Sequence, residues 1–185
     1  AAQLQGERAN DLAAAIGYTL AKSLAMLVSA SSVLPGIAAS APPPALSGST
    51  VGPGMLMATT GPRAAQVEKT AHAALASVRL RGERIGDLAR ALAQVIEAGA
   101  QLFLTQMMVA PGIAIVGGVT SAPGLLTGVP PTKGVLEPIA LAALSQNRLH
   151  GEASQKLAGA LAQVTSAALA LLASSVSVAP GIAST

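Results

Sequence analysis

A block of thirty residues occurs three times in this chain, and any fold the chain adopts has to accommodate that repetition. The copies span 6–35, 82–111 and 151–180, so a proline follows the opening glycine by 29 positions each time. Each opens with Leu-x-Gly-Glu (Leu4, Gly6 and Glu7; Leu80, Gly82 and Glu83; Leu149, Gly151 and Glu152). Each closes with Pro-Gly-Ile-Ala, at Pro35, Pro111 and Pro180. The second and third copies share Leu-Ala-x-Ala-Leu-Ala-Gln-Val over 88–95 and 157–164, and the first has a looser Leu-Ala-Ala-Ala-Ile over 12–16. No gap is needed inside the unit. Self-similarity of this kind marks supersecondary units that bury their apolar faces against one another.

Inside the block the apolar residues follow a helical period. Leu12, Ile16, Leu20, Leu24 and Leu27 recur three or four apart and make one face of an α-helix. A proline then ends it, because the residue before a proline is pushed out of the helical region. This pattern predicts main helices over 4–34, 64–110 and 139–179, joined by connectors over 35–63 and 111–138. In the connectors Pro42-Pro43-Pro44, Gly52-Pro53-Gly54 and Ala122-Pro123-Gly124 forbid a helix. Their apolar residues (Val51, Met55, Leu56, Met57) distinguish them from polar disordered linkers and predict ordered, extended chain laid on a surface. Ile113-Ala114-Ile115-Val116 has the composition of a short strand.

The repetition extends ahead of the Gly-Glu. Ala73-Ala74-Leu75 and Arg79-Leu80 match Ala142-Ala143-Leu144 and Arg148-Leu149 as a lead-in helix. Over 79–87 there is no proline and the helix formers are good, so 64–110 reads as one rod. Gln146-Asn147 and His150-Gly151 are weaker, and leave the third copy between a rod and a helical hairpin. The expected fold is mainly α: three long parallel helical repeats in a pseudo-threefold bundle, within a single domain over 1–185. In that bundle Leu12, Leu88 and Leu157 form one buried layer and Ile16, Leu92 and Leu161 the next.

The charge distribution bears on function. Hydrophobic residues are 51% and charged residues 10% of the chain, against about 25% charged in ordinary soluble domains. No Asp, Glu, Lys or Arg occurs over 23–62, 98–132 or 157–185. Uncharged surface on this scale points to an interface. The expectation is a non-catalytic structural subunit of a larger homo- or hetero-oligomeric assembly, of virion, phage-tail or secretion-apparatus type. Its partners would be copies of itself or other subunits. Membrane insertion is the second reading: 158–178 is long enough to span a bilayer, but neither an aromatic belt nor a Lys/Arg-rich loop accompanies it. Despite a pI near 9.8, there is no basic run interleaved with aromatics, so no nucleic-acid partner is expected. The absence of Cys excludes disulfides and thiolate metal sites. No basic, apolar leader opens the sequence at Ala1.

Catalytic signals are weak. His150 aligns with Gln5 and Arg81, so its slot is simply polar, and His72 has no ligand-spaced carboxylate pair. Glu7, Glu83 and Glu152 recur in register and could bring three carboxylates to one cation, but acids early in a helix suit its dipole without one. Gly52-x-Gly54 is no dinucleotide fingerprint, 128–134 lacks the P-loop order, and no serine lies in a Gly-x-Ser-x-Gly elbow. No enzyme activity, cofactor or metal is expected. The positions singled out are structural: Gly6, Gly82, Gly151, Pro35, Pro111, Pro180 and the six layer residues.

Overall fold

The computed structural model describes residues 8–40, 47–58, 61–80 and 82–184; Leu4, Gly6, Glu7 and Pro42-Pro43-Pro44 lie outside them. The elements run α1 (Ala9–Ala30), β1 (Ser31–Val33), β2 (Ser47–Ser49), β3 (Gly54–Ala58), α2 (Ala64–Ser77), α3 (Ile85–Gln106), β4 (Met107–Val109), β5 (Ala114–Val116), β6 (Val119–Thr120), β7 (Gly124–Gly128), α4 (Lys133–Gln146), α5 (Glu152–Ser175) and β8 (Ser177–Val178).

The mainly-α, pseudo-threefold bundle of long helices is therefore wrong. Helices hold 57% of the described residues, and two antiparallel sheets accompany them. The recurring unit is strand–helix–helix–strand, seen twice in full as β3-α2-α3-β4 and β7-α4-α5-β8. The rod expected over 64–110 is broken into α2 and α3 by a turn at 78–84, and 139–179 holds parts of α4 and α5 rather than one helix. Both turns contain an arginine in the left-handed region, Arg79 at φ 55° and Arg148 at φ 60°. Each first helix closes the same way: Leu80 N donates to Leu75 O and Leu149 N to Leu144 O, which returns the chain in a tight hairpin. Helix α4 begins at Lys133, ahead of the expected boundary, with Pro138 inside it. Beyond the first turn, Pro138 forfeits the bond its N–H would make to Gly134, and its ring crowds that carbonyl.

The connectors are not merely laid down as extended chain: they supply β2, β3, β5, β6 and β7, while β1, β4 and β8 come from the ends of the stretches expected to be helical. A five-stranded antiparallel sheet has the order β1-β3-β4-β7-β8, and a three-stranded one the order β2-β5-β6. Every strand that follows a long helix (β1, β4, β8) pairs with one that precedes a helical hairpin (β3, β7), so β1, β4 and β8 run the same way. Strands of two to five residues suffice in the larger sheet because each is paired with strands separated from it in the sequence by helices or a connector.

Three apolar clusters fill the interior. The largest lies among all five helices and contains Ile16, Leu92 and Leu161, with Leu12, Leu88 and Leu157 packed partly buried against it. Leu75 and Leu144, from α2 and α4, are fully buried in the same cluster. A second cluster includes Leu20, Val67, Ala93 and Ile96. The third lies beneath the larger sheet, where Leu27, Phe103, Met107 and Leu169 meet Leu56 and Leu126. Burying each large aliphatic side chain contributes about 1.5–3 kcal/mol. The ends of the repeated block, Pro35, Pro111 and Pro180, are exposed, as are Gly82 and Gly151.

Candidate interface at the open seam between the first and last repeats

A cleft opens where the larger sheet ends. Two seats in the fold are filled by a strand and a helix, and equivalent residues build both. In the first, β3 lies between β1 and β4, and α2 packs on both α1 and α3. In the second, β7 lies between β4 and β8, and α4 packs on both α3 and α5.

Each seat grips a glycine. A Cβ on Gly54 would lie 2.9 Å from Ile37 Cδ1, 3.0 Å from Val33 Cγ1 and 3.2 Å from Val109 Cβ. A Cβ on Gly124 would lie 2.6 Å from Ile113 Cδ1, 2.9 Å from Val109 Cγ1 and 3.5 Å from Val178 Cβ. Only glycine fits so near a neighbouring side chain without a shift. The Pro-Gly-Ile-Ala of the first two copies thus has a role: its isoleucine covers a glycine farther along the chain, Ile37 over Gly54 and Ile113 over Gly124. Two residues beyond each glycine, Leu56 and Leu126 turn inward to the cluster beneath the sheet. Met55 and Leu125, between them, face out at 62% and 70% exposure.

Backbone bonds repeat as well. Leu34 N donates to Met55 O at 3.0 Å and Ala110 N to Leu125 O at 2.8 Å. Val51 N donates to Ala38 O and Ser121 N to Ala114 O, both at 2.8 Å. Thr50 Oγ1 accepts from Ile113 N at 2.9 Å, and Thr120 Oγ1 from Ile182 N at 3.0 Å. The segment that fills a seat therefore reads Thr-x-x-Pro-Gly-x-Leu (50–56 and 120–126), followed by a helix. That helix buries Val67, Ala71, Ala74 and Leu75, or Leu136, Ala140, Ala143 and Leu144, at identical spacing. An arginine from the preceding long helix caps it. Arg8 Nη1 donates to Arg79 O at 3.0 Å, and Arg84 Nη1 donates to Arg148 O.

Among the described residues, β1 and β8 are the edges of the sheet. Between them opens a cleft of about 300 Å³, whose lining includes Val33, Val178, Ile182, Leu56 and Leu126. It meets a groove between α1 and α5 lined by Leu20, Leu24, Ala168 and Leu171, and Leu172 belongs to both. Where Ile37 and Ile113 are 5% and 7% exposed, their counterpart Ile182 is only half-buried. Tyr18 on α1 and Leu171 on α5 are 57% and 70% exposed.

The polar candidates do not converge in the same way. His72, His150, Glu83 and Glu152 are all exposed. Among the described residues no three metal-ligating side chains cluster. His150 and Glu152 share a surface groove with Lys156, away from the seam. Sequence reasoning singled out the glycines that open each block and missed Gly54 and Gly124, although the echo between 52–56 and 122–126 pointed to them. No protein-family model, curated protein or solved structure matches this chain.

Proposed function

We propose that this chain is a non-catalytic structural subunit of a larger assembly, joined to its partners through uncharged surfaces. The observation that carries this reading is the open seam: two strand edges beside an apolar cleft that continues into a helix groove. Unpaired edges template the addition of further strands, and contiguous apolar surface of this kind belongs at interfaces. The outer face of the sheet adds to it, since Met55 and Met108 are directly paired neighbours with Met57 and Leu125 on the same exposed side. Assemblies of virion, phage-tail or secretion-apparatus type use such subunits.

Mass photometry in detergent-free buffer tests the proposal. Large, stable complexes are the expected result. A monodisperse monomer at micromolar concentration would overturn it.

A second reading, membrane insertion, has one observation in its favour. Helices α1 and α5, with 22 and 24 residues, are each long and apolar enough to cross a bilayer. Both flank the seam, so a missing protein neighbour accounts equally for their exposed apolar residues. Partition into liposomes, with complexes appearing only in detergent or lipid, would favour this second reading.

A further inference from the structure

From the two filled seats we infer that the seam is a third seat, built to accept a strand–helix segment of the same chemistry supplied from outside residues 1–185. The occupant is a polypeptide carrying Thr-x-x-Pro-Gly-x-Leu followed by a helix with aliphatic or Ala residues at i, i+4, i+7 and i+8. This deepens the assembly reading and rests on it for biological meaning, though its geometry stands separately.

The seam is continuous with interfaces already formed. Val33 holds Gly54 in the first seat and Val178 approaches Gly124 in the second, and the outer edges of β1 and β8 bound the cleft. With Ile182 they complete the same trio, one isoleucine and two valines, that surrounds glycine in each filled seat. The trio defines where the occupant's glycine sits. Its leucine, two residues on, would enter the space beside Leu56, Leu126 and Phe103.

Register follows from the pairs present. Gly54 pairs with Val109 and Gly124 with Val178, while Leu56 pairs with Val33 and Leu126 with Val109. The occupant's glycine therefore pairs with Val33 and its leucine with Val178. Ala179 N is the counterpart of Leu34 N and Ala110 N, and would donate to the residue after that glycine. The far end of the seat is currently closed on itself. Gly36 N donates to Ala183 O at 2.9 Å. In the filled seats the matching donors, Gly112 N and Gly181 N, go to Thr50 O and Thr120 O. The matching acceptors, Ala38 O and Ala114 O, receive Val51 N and Ser121 N. Ile37 and Ser184 also form a parallel bridge there, so the occupant opens this pairing and makes two backbone bonds of its own, as β-strand addition does elsewhere.

The third seat differs from the others in one respect. The position matching Arg8 and Arg84 is Ala153, so the occupant's helix lacks an arginine at its C-terminal carbonyls. Strand and helix packing must hold it without that clamp.

The test uses a labelled synthetic peptide with the sequence of residues 120–147, titrated into the full chain and followed by fluorescence anisotropy. Saturation at one peptide per protein is expected, together with slowed amide hydrogen exchange at Ala179. Valine in place of the peptide's glycine equivalent to Gly124 should weaken binding at least tenfold, and leaves the protein untouched. Ala179→Pro in the protein removes the matching donor and should weaken binding similarly, with its circular dichroism showing the fold retained. No saturable binding, or binding indifferent to the glycine substitution, would overturn the third seat. So would burial of the seam by a second copy that excludes the peptide. Assemblies that form from a protein indifferent to the peptide would leave the assembly reading standing; peptide binding by a strict monomer would do the reverse.

Discussion

Gly124 and Ile113 are in contact so close that a Cβ on the glycine would lie 2.6 Å from the isoleucine Cδ1. The same relationship holds Gly54 to Ile37, at 2.9 Å. Gly124→Ala should therefore destabilise the fold by about 1–3 kcal/mol, the usual penalty of overpacking. Ile113→Val removes the colliding methyl, so the double variant should lose less than the sum of the two single changes. Gly17→Ala is the control. A Cβ there meets nothing within 4 Å, inside helix α1, and the change should stabilise by about 0.5–1 kcal/mol. Urea midpoints for the four variants decide the matter, and equal losses at Gly17 and Gly124 would refute the account.

The hairpin arginines make a second prediction. Arg79 and Arg148 hold left-handed backbone at φ 55° and 60°, which costs a non-glycine residue about 1–2 kcal/mol. Glycine relieves that strain, but its freer unfolded chain takes back about 0.4–1 kcal/mol. Arg79→Gly and Arg148→Gly should each gain about 0.5 kcal/mol, because the carbonyls that accept Arg8 and Arg84 remain. Arg79→Val, branched at Cβ, should instead lose at least about 1 kcal/mol. Thermal melts of the three proteins provide the comparison.

These two sites also explain how much could be read from sequence. The repetition was plain, and so were the apolar positions Ile16, Leu92 and Leu161 of the main helices. The turn at 78–84 was hidden, because Arg79, Leu80 and Arg81 are good helix formers and the strain of a left-handed arginine leaves no compositional mark. Its partner at 146–151 has weaker helix formers, Asn147 and Gly151 among them. Carrying that turn back to the second copy by the 69-residue offset would have revealed both hairpins. The larger sheet was hidden for another reason. Its strands are two to five residues long and pair with partners distant in the sequence, so no local period identifies them. The seam required both facts, since an unfilled seat is visible only once the filled ones are known.

Depth within the core sets a third prediction. Leu92 and Leu161 are 1% and 2% exposed, whereas Leu171 is 70% exposed. Leu92→Ala and Leu161→Ala should each cost about 2–5 kcal/mol, and Leu171→Ala less than about 0.5 kcal/mol. Leu12, Leu88 and Leu157 pack against the same cluster but are only partly buried. Their alanine variants should fall between these limits, as measured by chemical denaturation. A Leu88→Ala loss as large as that of Leu92→Ala would mean that the half-buried layer is as closely packed as the buried one.

The last prediction concerns the two threonines that hold the repeated Pro-Gly-Ile turns. Thr50 and Thr120 are both 2% exposed, and their hydroxyl oxygens accept from Ile113 N and Ile182 N. Valine has nearly the same shape, and leaves the backbone bonds from Gly112 and Gly181 in place. What it removes is the acceptor for the isoleucine amide and, at position 120, a second acceptor for the Gly181 amide, which keeps its bond to Thr120 O. A buried N–H without a partner costs about 1–3 kcal/mol, and Ile113 is buried, so Thr50→Val should lose that much. Ile182 stands half-buried at the open seam, where water can reach its amide in the variant, so Thr120→Val should lose less. Serine keeps the hydroxyl, and Thr50→Ser should retain most of the lost stability. Hydrogen exchange at the Ile113 amide, slow in the parent and in Thr50→Ser, should become fast in Thr50→Val. If exchange there stays slow, the hydroxyl is not what protects that amide, and the Thr-x-x-Pro-Gly pattern owes its recurrence to the glycine alone.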